Sequence, residues 1–210
     1  MNYTLLTLGD SYTIGEGVHL SHTYPYKTIR NLRSAGKAFV AAEVIAHTGW
    51  TTFNLMGGIS GGRLLPEYDF VSLLIGVNDQ YQGLGLAAFE NGFTILLRQA
   101  IGLAGGDPAR VIVLSIPDWS ITPFATTYLP DDKGRDQAFV SKEIDDFNMA
   151  VEKHALTKGA GFIDITTHSR SFSVIPEGLS PFAADGLHPS GLQYDYWANW
   201  LAEKILKQLA

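Results

Sequence analysis

Apolar positions along the chain change their spacing in a regular alternation, short continuous runs giving way to stripes at helical period. Strand-like runs occupy residues 4–8, 39–46, 70–75, 110–116 and 161–165. Between the first two, Pro25 suits the opening turn of a helix in which Tyr26, Ile29 and Leu32 share a face as far as Ser34. A short helix is predicted over 51–56. A longer one follows, with Phe89, Phe93, Leu96, Leu97, Ala100 and Ile101 on one side until Gly105-Gly106 stops it. The spacing predicts another helix over 136–157, with Phe139, Ile144, Phe147 and Val151 inward. The last starts near Ser190, a good N-cap, and buries Tyr194, Trp197, Leu201 and Ile205.

Five strands alternating with helices predict an α/β fold, a parallel sheet with helices on both faces. No repeat, linker or low-complexity segment interrupts it, and the length fits a single domain over 1–210. The longest irregular stretches are predicted at 117–135 and 166–190, and loops of that length in a compact domain are often functional. Ligands of such folds bind beyond the carboxyl ends of the strands. Three polar clusters fall there: Gly9-Asp10-Ser11 after the first strand, Gly76-Val77-Asn78-Asp79 after the third, and Asp185-Gly186-Leu187-His188 beyond the fifth. Gly49 follows the second strand in the same way.

Composition narrows the classes of function. Hydrophobic residues make up 46% and charged residues 17%, so a sizeable core and an ordered chain are expected. A formal charge of −6 without any run of Lys or Arg argues against nucleic acid and anionic membranes as partners. The absence of cysteine removes disulfides, thiolate ligands and cysteine nucleophiles together. No stretch approaches the roughly 20 apolar residues of a membrane helix. The apolar run at 3–8 is too short, and lacks the basic start, for a secretion signal. A soluble cytoplasmic protein is expected, as a monomer or small homo-oligomer acting on a small molecule.

Taken alone, Ser11 reads as a turn serine capping the helix that follows. Its hydroxyl becomes a nucleophile only if a base removes the proton. His188 can be that base, because Asp185, three residues earlier, is close enough in sequence to reach Nδ1–H and leave Nε2 free. Acyl transfer also needs donors for the oxyanion, and Ser11 N–H, Gly49 N–H and the Asn78 amide would supply three from different strand ends. Gly49 and Asn78 read equally well, one by one, as a turn glycine and an Asx turn. A hydroxyl, an imidazole, a carboxylate, an amide and glycine backbone converging at strand ends form a catalytic constellation.

Gly9-Asp10-Ser11-Tyr12, Gly49, Gly76-Val77-Asn78-Asp79 and Asp185-Gly186-Leu187-His188-Pro189 resemble, in order and over nearly the whole chain, the four sequence blocks of the SGNH (GDSL) hydrolases. The resemblance implies a flavodoxin-like, three-layer α/β/α domain that hydrolyses carboxylic esters through an acyl-enzyme. It implies Ser11 as nucleophile, His188 as base, Asp185 as its orienter, and Ser11, Gly49 and Asn78 as oxyanion donors, without metal or organic cofactor. Asp10 is expected to steady the nucleophile loop, and Asp79 to play a similar part behind Asn78. The second block, His47-Thr48-Gly49-Trp50-Thr51, departs most from the family pattern and puts a bulky indole near the glycine.

Rival readings are weaker. Gly58-Ile59-Ser60-Gly61-Gly62 matches a nucleophile elbow literally, yet too little chain precedes Ser60 for the strands an elbow needs, and a Gly-rich loop is expected. A flavin or phosphate site on Ser11-Tyr12-Thr13-Ile14-Gly15 would leave Asn78, Asp185 and His188 without work. A metal site on Asp10, Asp79, Asp185 and His188 lacks paired-histidine spacing, with His19, His22, His47, His154 and His168 scattered. Trp119, Phe124, Tyr128 and Phe182 either line a substrate pocket or cover helix packing. Acetylated sugars and other short acyl esters, lysophospholipids and thioesters all remain open as substrates, and the lack of a long insertion favours short acyl groups.

Overall fold

A computed structural model describes residues 2–171 and 179–210. In chain order the regular elements are β1 (Leu5–Gly9), α1 (Ser11–Ile14), α2 (Tyr24–Ser34), β2 (Glu43–Ala46), α3 (Thr52–Gly61), β3 (Phe70–Leu74), α4 (Val77–Gln82) and α5 (Leu86–Leu103). They continue with β4 (Val111–Leu114), α6 (Pro123–Tyr128), α7 (Gln137–Thr157), β5 (Gly161–Ile163), α8 (Thr166–Arg170) and α9 (Gly191–Gln208).

The strands form one parallel sheet in the order β2-β1-β3-β4-β5. Both faces of the inner strands are covered, which is why β1, β3 and β4 read as continuous apolar runs and are buried at every position. The edge strands β2 and β5 are only partly buried. α2 packs on α9 over one face, and α3, α5 and α7 lie in a row over the other. The three-layer α/β/α architecture is therefore the one expected.

Some elements differ in detail. The second strand pairs only from Glu43, with Phe39 making an isolated bridge to Tyr3. β5 ends at Ile163 because Asp164 turns the chain, its carboxylate accepting from Thr166 N and Thr167 N. Two predicted inward residues face outward: Tyr26 is 49% and Phe139 50% exposed. The buried stripes run instead through Pro25, Ile29 and Leu32, and through Val140, Ile144, Phe147 and Val151, each displacing the aromatic by one position. Residues 117–135, expected to be irregular, contain a 3-10 turn at Trp119–Ile121 and the helix α6. Of the stretch 166–190, α8 opens it and residues 172–178 lie outside the described residues.

The face beneath α9 carries the heaviest packing. Tyr194, Trp197, Leu201 and Ile205 are fully buried there, as the periodicity predicts, and Trp197 meets Tyr24 of α2 and Tyr12 of α1. No helix among the described residues is long and apolar enough to cross a membrane.

Candidate active site

The turns that follow β1 and β3 are closed by glycines that packing requires. A side chain at Gly9 would lie 2.0 Å from Thr13 Oγ1 and 2.4 Å from the Leu74 carbonyl, so β1 can end there only with glycine. Asp10 then caps α1, accepting from Tyr12 N at 3.0 Å. Ser11 is the first residue of this one-turn helix, so its N–H has no acceptor within the helix. Tyr194 of α9 donates to the Tyr12 carbonyl at 3.0 Å and fixes the turn to the core.

Asp10 is completely buried, and its second oxygen has no hydrogen-bond partner among the described residues. Burial, opposed in part by the Tyr12 amide and reinforced by nearby Asp79, pushes its carboxyl up to about 8. Asp79 is raised by burial as well, although the Thr52 hydroxyl and amide donate to it at 2.6 and 2.9 Å. That pair of bonds ties the start of α4 to the start of α3.

Asn78 stands in the first turn of α4, which follows Gly76 at φ 129°. Its Nδ2 donates to the Trp50 carbonyl at 3.0 Å, leaving the second amide hydrogen for another acceptor. Gly49 adopts φ 79°, a left-handed conformation that glycine tolerates, with open space where a side chain would stand.

Beyond α8, Asp185 Oδ2 accepts from His188 Nδ1 at 2.6 Å, while Oδ1 receives Leu187 N and His188 N at 2.9 and 3.0 Å. Burial raises the Asp185 carboxyl, but the Leu187 amide and the His188 bonds outweigh it and hold the group below the ordinary carboxylate range. With Nδ1 donating to Asp185, Nε2 is the free nitrogen. Ser11, Gly49, Asn78 and His188 line one cleft of ≈ 190 Å³. No hydrogen bond joins Ser11 Oγ to Nε2 among the described residues, and such bonds commonly tighten only when substrate binds.

The model of the GDSL-like lipase/acylhydrolase family matches residues 7–196. The chain belongs to that family. Its class of chemistry is therefore carboxylic ester hydrolysis, as the ordered blocks implied. No curated protein sequence matches the chain significantly. Among solved structures it resembles a lipase/acylhydrolase from Enterococcus faecalis, at 20% identity and a TM-score of 0.71, over 99% of this chain and 97% of that one. It also resembles Axe2, an acetylxylan esterase from Geobacillus stearothermophilus, at 18% identity and a TM-score of 0.72, over 97% and 94% of the two chains. At these identities the likeness is one of fold.

Within this GDSL-like domain the cleft walls are Tyr12, Thr48, Val77, Tyr81, Trp119, Phe124 and Leu187. Trp119 is held by its indole N–H, which donates to Gln80 Oε1 at 2.7 Å, and Gln80 Nε2 donates on to Glu143. Two of the four aromatics singled out in the sequence therefore reach the cleft. Tyr128 instead stacks behind Phe124 at 4.1 Å between centroids, and Phe182 bridges Pro189. Thr48 and Leu187 were quoted in the sequence blocks without a role, whereas Tyr81 was not singled out, nor was Glu16 at the rim, whose carboxylate is 3.9 Å from His188 Nε2.

The expected Gly-rich loop at 58–62 is helical through Gly61, since α3 runs on through it. Ser60 is exposed in its last turn, its hydroxyl donating to the Met56 carbonyl. Gly58 has a packing role: a side chain there would meet the Trp50 ring at 2.3 Å. That ring stacks on His47 and is not among the cleft walls, so the bulky residue after Gly49 leaves the cleft open. Among the described residues no cluster of three or more His, Asp or Glu could hold a metal ion.

Proposed function

We propose that the protein hydrolyses short-acyl carboxylic esters through an acyl-enzyme on Ser11. The observation that carries this reading is the convergence of Ser11, Gly49, Asn78 and an Asp185-oriented His188 on one small, largely apolar cleft. His188 Nε2 takes the Ser11 proton as Oγ adds to the ester carbonyl, and the oxyanion is held by Ser11 N–H, Gly49 N–H and Asn78 Nδ2. Collapse of that intermediate breaks the bond to the alcohol, which leaves with the proton from the imidazolium. Water then adds to the acyl-enzyme by the same route, its proton passing to Nε2 and on to Ser11 Oγ. Asp185 holds the tautomer, Asp10 caps the turn bearing Ser11, and Asp79 locks α4 so that Asn78 faces the cleft.

The size of the cleft favours acetyl and other short acyl groups over long chains. Likeness in fold to an acetylxylan esterase is consistent with an acetyl group but does not choose the alcohol. A series of p-nitrophenyl esters tests the acyl side: kcat/KM should be greatest for acetate to butyrate and fall for longer chains. A maximum at eight carbons or more would instead favour a lysophospholipase-like or long-chain thioesterase-like acylhydrolase.

A further inference from the structure

The two-step hydrolysis makes no use of Glu16. α1 closes at Gly15, whose φ of 76° is left-handed, and the amides of Gly15 and Glu16 both donate to the Ser11 carbonyl, at 3.0 and 3.1 Å. Glu16 is thus carried by the same turn as the nucleophile. Its half-buried carboxylate accepts a hydrogen bond from Thr48 Oγ1 and stands 3.9 Å from His188 Nε2. Thr48 and His188 both line the cleft. Glu16 Oε1 accepts no hydrogen bond from any described residue.

Nε2 is the atom that must hand a proton to the departing alcohol. Substituents on the first carbons of the alcohol therefore lie close to that nitrogen and to the Glu16 carboxylate. None of the residues lining the cleft is Lys or Arg. Lys133 and Arg135 belong to the neighbouring groove with Asp131 and Asp132, and Arg135 is paired with Asp131 at 2.6 Å. Asp185, on the far side of the imidazole, adds a second negative charge.

We propose that Glu16 determines specificity on the alcohol side, favouring esters of uncharged or cationic alcohols and rejecting those whose alcohol carries carboxylate or phosphate. This rests on the ester-hydrolase reading of the cleft. A half-buried unit charge a few ångströms from another changes the rate by about tenfold in low salt, because the local dielectric lies below that of water.

Three acetates whose alcohol carries, on its second carbon from the ester oxygen, a carboxylate, a carboxamide or a trimethylammonium group make the test. In the wild type at low ionic strength, kcat/KM should rise from the anionic to the cationic ester. Glu16→Gln, which keeps an acceptor for Thr48, should shrink the cationic-to-anionic ratio by about tenfold. Glu16→Lys should invert it, and Glu16→Asp should keep its direction. The ratio is taken within one variant, so loss of folded protein lowers all three rates alike and leaves it unchanged. Hydrolysis of all three esters with the same ratio in the wild type and Glu16→Gln would overturn the role of Glu16 and spare the ester-hydrolase reading. Failure to turn over any of them, together with failure of a fluorophosphonate to label Ser11, would overturn both.

Discussion

Two residues near Ser11 make separable predictions. Asn78 offers one of the proposed oxyanion donors, held by its second bond to the Trp50 carbonyl. Loss of one such donor lowers turnover on the order of 100-fold, so Asn78→Ala should reduce kcat by about that factor with little change in KM. Full activity in steady-state assays would remove Asn78 from the mechanism. Asp10 concerns stability. Burial pushes its carboxyl up to about 8 from an ordinary 3.8, so the native state holds this proton more tightly than the unfolded chain. The stabilisation is complete below about pH 4 and is lost as pH rises towards 8. Asp10→Asn keeps the acceptor for Tyr12 N–H and removes the titration. Its melting temperature relative to wild type should therefore improve steadily from pH 4 to pH 8. Parallel curves for the two proteins would contradict the assignment.

At the scale of elements, α3 shows why local composition misled the reading of 58–62. Its glycines disfavour helix by about 1 kcal/mol each, yet the helix persists. A capping box between Thr51 and Asn54 and the Asp79 carboxylate on Thr52 N satisfy its first turn. Gly58 is required because Trp50 fills the space beside it, whereas Gly57 has none of its neighbours within 4 Å of a side-chain position. Gly57→Ala should therefore stabilise by roughly 0.5–1 kcal/mol in urea unfolding. Gly58→Ala should destabilise by about 1–3 kcal/mol and lower kcat, since it displaces Trp50, whose carbonyl holds Asn78. A gain in stability for both variants would show that Trp50 does not occupy that space. The shifted stripes of α2 and α7 teach a similar lesson. Aromatics attract an inward assignment, but Pro25 and Val140 follow the period more faithfully than Tyr26 and Phe139.

For the whole molecule, the inner strands and the chain order of the site blocks were legible because both follow from one-dimensional pattern. Burial on two faces makes β1, β3 and β4 apolar throughout, and strand ends in a parallel sheet fall on one edge. The edge strands were legible only in part, since half-exposed positions carry a diluted signal. Ser11, Gly49 and Asn78 could be named because each lies in a short block just after a strand, and His188 because Asp185 stands three residues before it at the entry to α9. The contact between Glu16 and Thr48 was not legible, because it depends on a left-handed glycine that turns the chain after α1 toward the loop after β2. The aromatic walls divided for the same reason: which of Phe124 and Tyr128 faces the cleft depends on how α6 docks against Gly186, whose carbonyl accepts from Phe124 N.

Ser11, not the motif-like Ser60, is the residue proposed to attack the ester. Intact-protein and peptide mass spectrometry after reaction with a fluorophosphonate tests it most directly. One adduct on Ser11 is predicted, lost in Ser11→Ala together with esterase activity and retained in Ser60→Ala. An adduct elsewhere, or esterase activity that survives Ser11→Ala, would contradict the account.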